Sequence, residues 1–193
     1  MSSADEEEII SSNHCPRCGR TFTERVEGCD ACGLTFAMLN AQMSAPPAQA
    51  GYVNDFAQVL TPAEVQRLVQ RCQHIDATIQ AELIVVTTAT TAPLSPAEYV
   101  FWLANRWDMG GSGNRGLLIL LALQEHRIES EVGYGLESLL SDAESAQILQ
   151  KHVVPFLRAE QYAEGLYQAV DVLGKVLEVK QKAAGRRWRS YRV

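Results

Sequence analysis

The chain has 193 residues, 47% hydrophobic and 21% charged, which is room for one ordinary domain with a small appendage and too apolar for a disordered chain. Its formal charge of -6 argues against a protein built mainly to coat nucleic acid, although the charge is unevenly placed, acidic from Asp5 to Glu8 and basic in the last segment. No apolar run approaches the roughly 18–20 residues that span a bilayer, and no basic start precedes an apolar run, so the expectation is a cytoplasmic protein without a secretory signal.

Residues 1–13 are acidic and serine-rich without a period, and read as a disordered tail. A cysteine block follows, residues 14–36. Cys15-Pro16-Arg17-Cys18-Gly19 is repeated in kind by Cys29-Asp30-Ala31-Cys32-Gly33. Two residues between paired thiols set both sulfurs on one side of a turn, and the glycine after each pair leaves an N–H free to bond a thiolate. Two such knuckles supply Cys15, Cys18, Cys29 and Cys32 as tetrahedral zinc ligands, with strand-like flanks as in a zinc ribbon. Disulfides fit poorly with a chain lacking a signal. About 25 residues cannot bury enough surface to fold alone, so metal binding supplies the folding free energy. A closed four-thiolate site points to structure and recognition, not catalysis. His14 is expected to face solvent.

Residues 37–50, with Pro46 and Pro47, read as a linker. The second domain is expected over 51–179. Thr61, Pro62 and Glu64 open an amphipathic helix to Ile79 with a capping box, and Cys72 falls on its apolar face as a small buried hydrophobe. Leu83–Thr88 reads as a strand, and Ser95, Pro96 and Glu98 start a helix to about Trp107. A glycine-rich loop spans Met109–Gly116. Gly116–Leu123 is apolar at every position after its glycine, which suits a covered central strand or a buried helix; the following turn signal favours the strand. In Arg127–Val132 the apolar Ile128 and Val132 alternate with charged Arg127, Glu129 and Glu131, a strand with one face expected toward water. Gly133 and Gly135 flank Tyr134, where the backbone takes positive φ or passes close to another group. This exit is a natural binding site or simply a turn. Ser141 caps a helix with Glu144 at its third position, and a last helix covers about Ala163–Val179. Residues 180–193 form a basic tail. Helices alternating with strands, then an antiparallel pair, give an α/β sandwich.

Several stretches of this second part, in unbroken order, carry a resemblance: Gly51-Tyr52-Val53-Asn54-Asp55, Leu60-Thr61-Pro62, Ala104-Asn105-Arg106-Trp107, Asn114 through Leu120, Glu131-Val132-Gly133-Tyr134-Gly135-Leu136-Glu137, Pro155-Phe156 and Tyr162-Ala163-Glu164-Gly165. The chain resembles the TPM domain family from Gly51 to about Leu177. The resemblance implies a TPM-type α/β/α sandwich with a mixed sheet, here preceded by a small zinc ribbon. Plant relatives in the thylakoid lumen are associated with photosystem repair and described as acid phosphatases, and some members bind calcium through an acidic cluster. Many relatives have an export signal and a membrane helix that this sequence lacks, and Asn114 and Arg115 stand where the family often has Asp.

Asp55, Asn114, Tyr134, Glu137 and Asp142 are thus the candidate ligand- or cation-binding residues, with Arg115 weakening any calcium site. Three functions are carried forward. A non-enzymatic adaptor would use the ribbon and the GYGLE end to bind a protein partner or a ligand. A phosphatase would use Asp55 as base and Arg115 as oxyanion clamp, although Asp55 as a turn residue and Arg115 as a solvated loop residue are the plainer readings. The basic tail, with Trp188 and Tyr191 among its arginines, would grip nucleic acid or an anionic membrane, unless it is merely a frayed end.

Overall fold

The computed structural model describes residues 14–22 and 27–190, the side chains of 186–190 excepted. The acidic tail, part of the ribbon and residues 191–193 lie outside the described residues. Four strands, β1 (Val53–Asp55), β2 (Glu82–Thr88), β3 (Gly116–Ala122) and β4 (Arg127–Val132), lie side by side in that order. The first three are parallel and β4 is antiparallel to β3. The continuous apolar run is β3, buried at every position and flanked on both sides, as its composition requires.

Six helices are present among the described residues: α1 (Phe36–Gln42), α2 (Pro62–Ile79), α3 (Pro96–Arg106), α4 (Asp142–His152), α5 (Val154–Arg158) and α6 (Tyr162–Ser190). The expected capping boxes of α2 and α3 are both closed, Thr61 with Glu64 and Ser95 with Glu98. In α4 Ser141 accepts the Glu144 N–H, but the Glu144 carboxylate turns outward to Lys180 of α6 at 2.6 and 2.7 Å.

Alternation along the strands divides the core between two faces. Leu83, Val85, Leu117, Ile119 and Leu121 meet Leu68, Cys72 and Ile75 of α2 and Leu166, Val170, Leu173 and Leu177 of α6. Ile84, Val86, Leu118 and Leu120 meet α3 on the other side, together with Phe22, Leu34, Phe36 and Leu39 from the cysteine block and α1. The ribbon is therefore part of the core, not a separate appendage. Phe36 packs edge-on to Phe101 at 6.0 Å, the Trp102 indole N–H donates to Asn40 at 2.8 Å, and Arg17 donates to Glu98 at 2.7 Å. Burial opposes ionisation of Glu98, but the bonds from Ser95 and Arg17 outweigh it and hold its pKa below the ordinary value.

The steps β1 to β2 and β2 to β3 run in the same direction between parallel strands, yet α2 and α3 lie on opposite faces. Their crossovers therefore have opposite hands. One of them is left-handed, an arrangement found in only about 2% of such connections.

Three elements and one residue depart from the sequence reading. Residues 36–42, placed mostly in the linker, form α1, because Thr35 caps it and Phe36 and Leu39 are buried against the α3 side; seven residues are too few to show a period. Strand β1 escapes notice because Asn54 and Asp55 are poor strand formers. Helix α6 continues past Val179 to Ser190, since good helix formers extend it after the apolar period stops. Glu131, expected in water, is buried, because α3 packs on that face of β4.

Candidate functional site

The four cysteines of the ribbon converge, their ligand atoms all within 4.8 Å of one another. Cys15 and Cys32 lie 3.6 Å apart, as do Cys18 and Cys29, and all are free thiols. Disulfide sulfurs sit about 2.05 Å apart, whereas thiolates around zinc with bonds of about 2.3 Å lie about 3.8 Å from one another. The cluster fits the second geometry. Each knuckle is built the same way: the N–H of Gly19 donates to Cys15 O at 2.9 Å and that of Gly33 to Cys29 O at 2.8 Å. Both glycines take φ of +73°, a turn closed easily only by glycine. The glycine N–H groups thus bond carbonyls, and the thiol-directed N–H groups are those of Cys18 and Arg17 for Cys15, and of Cys32 and Ala31 for Cys29. Burial pushes Cys15 up to about 12 against those bonds, while at Cys29 the bonds outweigh burial and hold it at about 7. Among the described residues this is the one gathering of three or more Cys, His, Asp or Glu ligands.

The other candidate residues do not share one site. Asp55, at the C-terminal end of β1, accepts from Val59 and Leu60 N–H groups at 3.2 and 2.9 Å and from the Thr87 hydroxyl, which fixes the turn into α2. Arg115 lies at the opposite end of the parallel strands, where its backbone carbonyl accepts from Glu82 N–H at 2.9 Å. The length of β2, roughly 17 Å between Glu82 and Thr87, separates the two. The Arg115 guanidinium donates to the carbonyls of Gln80, Ile79 and Gly135 and to the Gln181 side chain, at 2.6–3.2 Å. It is a C-cap of α2 and a tie to the glycine turn.

The turn itself works by close approach: a Cβ at Gly133 would meet Asn114 O at 2.4 Å and one at Gly135 would meet Gly113 O at 2.1 Å. Neither glycine takes positive φ. Tyr134 is 59% exposed and, with Asn114, Asn105, Asp108 and Glu131, borders a cleft of about 40 Å³. Glu137 acts through its charge on His14. Asp142 does two jobs at the start of α4, accepting from Val132 N–H at 3.0 Å through one oxygen and facing His14 Nδ1 at 3.2 Å through the other. His14, expected in solvent, is thereby a clasp between ribbon and body; Asp142, against the opposing effect of burial and with help from Glu131 and Glu137, raises its pKa.

Beside this clasp runs a groove of about 980 Å³. Its walls are the ribbon, through His14 and Thr21, and helices α4 and α5, through Leu149 and Leu157; Ile128 and Ser130 of the edge strand β4 form its floor. In the ladder Gly133 N–H donates to Gly116 O, and Val132 N–H points the other way to Asp142. By alternation the backbone groups of Ser130 and Ile128 also turn outward, toward the groove. Three separated segments build it, so no local sequence signal marks it.

The sequence profile of the TPM domain matches residues 53–176. The chain belongs to the TPM domain family. Solved TPM-like structures agree in fold. The N-terminal domain of a P. gingivalis protein is 28% identical with a TM-score of 0.62, over 75% of this chain and 88% of that one. The N-terminal domain of a Corynebacterium glutamicum protein is 15% identical with a TM-score of 0.54, over 69% and 84%. The BA42 protein of Bizionia argentinensis is 16% identical with a TM-score of 0.55, over 63% and 83%. No curated protein matches significantly. The TPM match leaves the cysteine block outside it.

Proposed function

We propose that this TPM-domain protein is a non-enzymatic binding module in which structural zinc, held by Cys15, Cys18, Cys29 and Cys32, fixes one wall of a recognition groove. Zinc would supply the folding free energy of the ribbon and no reaction chemistry, since four protein ligands leave no open position. The observation that carries the reading is the groove walled jointly by ribbon and TPM domain, with outward backbone groups of β4 on its floor. Such an edge takes an extended protein segment by main-chain pairing. Thiolate-bound zinc suits a reducing compartment, which supports a cytoplasmic location.

The test is a photo-crosslinking residue placed at Ser130 in the full chain, with the same residue at exposed Gln70 of α2 as control. One reproducible partner joined from Ser130, absent from Gln70 and lost in Cys29→Ser, is the expected result. No adduct at Ser130, or identical adducts from both positions, rejects the reading. The phosphatase alternative draws no support from Asp55 and Arg115, which stand at opposite ends of the strands and are occupied in holding turns. Phosphomonoester turnover by the pure protein, diminished in Asp55→Asn, would restore it. The calcium alternative lacks a gathered carboxylate set, because Asp55 is remote and Asp142 is engaged by His14.

A further inference from the structure

Helix α6 changes character along its length. Leu166, Val170, Leu173 and Leu177 are wholly buried. The next residue in that register, Gln181, accepts from Arg115 at 2.6 Å and donates to Ile79 O at 3.3 Å, which is where the body ends. Residues 182–185 are exposed, yet the backbone stays helical through Ser190. The helix therefore projects as an arm of about two turns.

The composition of this arm differs from that of the body. It carries Lys182, Arg186, Arg187 and Arg189 and no acidic residue, in a chain whose total is -6. Advancing by three or four residues from Leu177 and Gln181, the core register next reaches Ala184 and Trp188. The register that seats α6 in the core is thus continued in the sequence by apolar residues, the first of which, Ala184, is exposed. At 100° per residue, Lys182 and Arg189 fall to one side of that register and Arg187 to the other.

We propose that this arm is an interfacial anchor that lies on an anionic lipid bilayer, with the Ala184 and Trp188 register toward the acyl boundary and the flanking cations at the headgroups. The occupant follows from charge and pattern together. Four cations without a carboxylate complement an anionic surface, and an apolar register carrying Trp between cationic flanks is the composition of helices that rest in the headgroup layer. Duplex nucleic acid satisfies the charge but gives the apolar register nothing to enter. None of the helices among the described residues is long and apolar enough to cross a membrane, so the contact is peripheral. The proposal stands independently of the groove, which lies on the β4 side.

The experiment uses the full zinc-loaded chain with vesicles of phosphatidylcholine alone and of phosphatidylcholine with phosphatidylglycerol, in parallel with a fluorescent DNA duplex. Each basic residue near an anionic surface contributes about fivefold in affinity. Sedimentation with the anionic vesicles alone is expected, weakening with salt. Arg186→Gln, Arg187→Gln and Arg189→Gln combined should cut it about a hundredfold without shifting the melting temperature. Trp188→Ala should lower the affinity and abolish a vesicle-induced blue shift of emission. Equal binding to both vesicle types, binding untouched by the triple substitution, or duplex binding with none to vesicles would overturn the proposal.

Discussion

On one face of the sheet, α2 and α6 lay long apolar stripes against the strands, whereas on the other α3 covers only part of the area and Phe22, Leu34, Phe36 and Leu39 complete it. The first closure rests on hydrophobic burial from helices long enough to be periodic, with Arg71 of α2 paired to Asp171 and Glu178 of α6. The second depends on a block too small to hold itself together, so its share of the core is only as stable as the thiolate cluster. The difference separates burial that is intrinsic from burial that rests on a four-cysteine cluster able to hold a metal ion.

Removing the condition should have the largest effect. Zinc withdrawal by a chelator, or Cys29→Ser, should forfeit most of the roughly 10–16 kcal/mol of apparent zinc binding typical of such folds. The ribbon face should then open while α2 and α6 stay packed. Dye binding to exposed apolar surface should rise, buried Trp102 should redden, and far-UV dichroism should persist; loss of all helix at once would show that the faces are not separable. Next in size, Leu173→Ala on the opposite face should cost about 2–5 kcal/mol in urea unfolding with zinc stoichiometry unchanged.

A smaller effect is expected at Glu98→Gln, about 1–2 kcal/mol, from the weakened tie to Arg17. Because the folded pKa of Glu98 is depressed, its contribution is present above the ordinary carboxylate pKa and lost as pH falls through the folded value. Wild type and variant should therefore converge in acid. The least effect belongs to Asp30→Asn, at most about 0.5 kcal/mol, since both partners of the Arg20 to Asp30 pair are largely in water.

Local features were readable in the sequence. The knuckles, the caps of α2 and α3 and the central run of β3 each declare themselves within a few residues, and so did the family. What escaped is what sequence neighbours do not decide. Arg115 announces a charge in a glycine-rich loop, but its partners are carbonyls of Ile79, Gln80 and Gly135, brought to it only by folding. His14 meets Asp142 from far along the chain, Glu131 looks solvated until α3 packs on that face of β4, and the groove exists only where three segments meet. Helix α1 was too short to declare a period, although Thr35 in front of it is a sound cap.

The opposed hands of the two crossovers explain why the ribbon has a place to rest. Had both connections wound the same way, α2 and α3 would have crowded one side of four strands and left Ile84, Val86, Leu118 and Leu120 bare. By alternating sides, the chain roofs the sheet with a single short helix there and leaves a vacancy about the size of the four-cysteine module. A relative that kept this winding but lacked the cysteines would have to plug the same gap with another segment or another molecule.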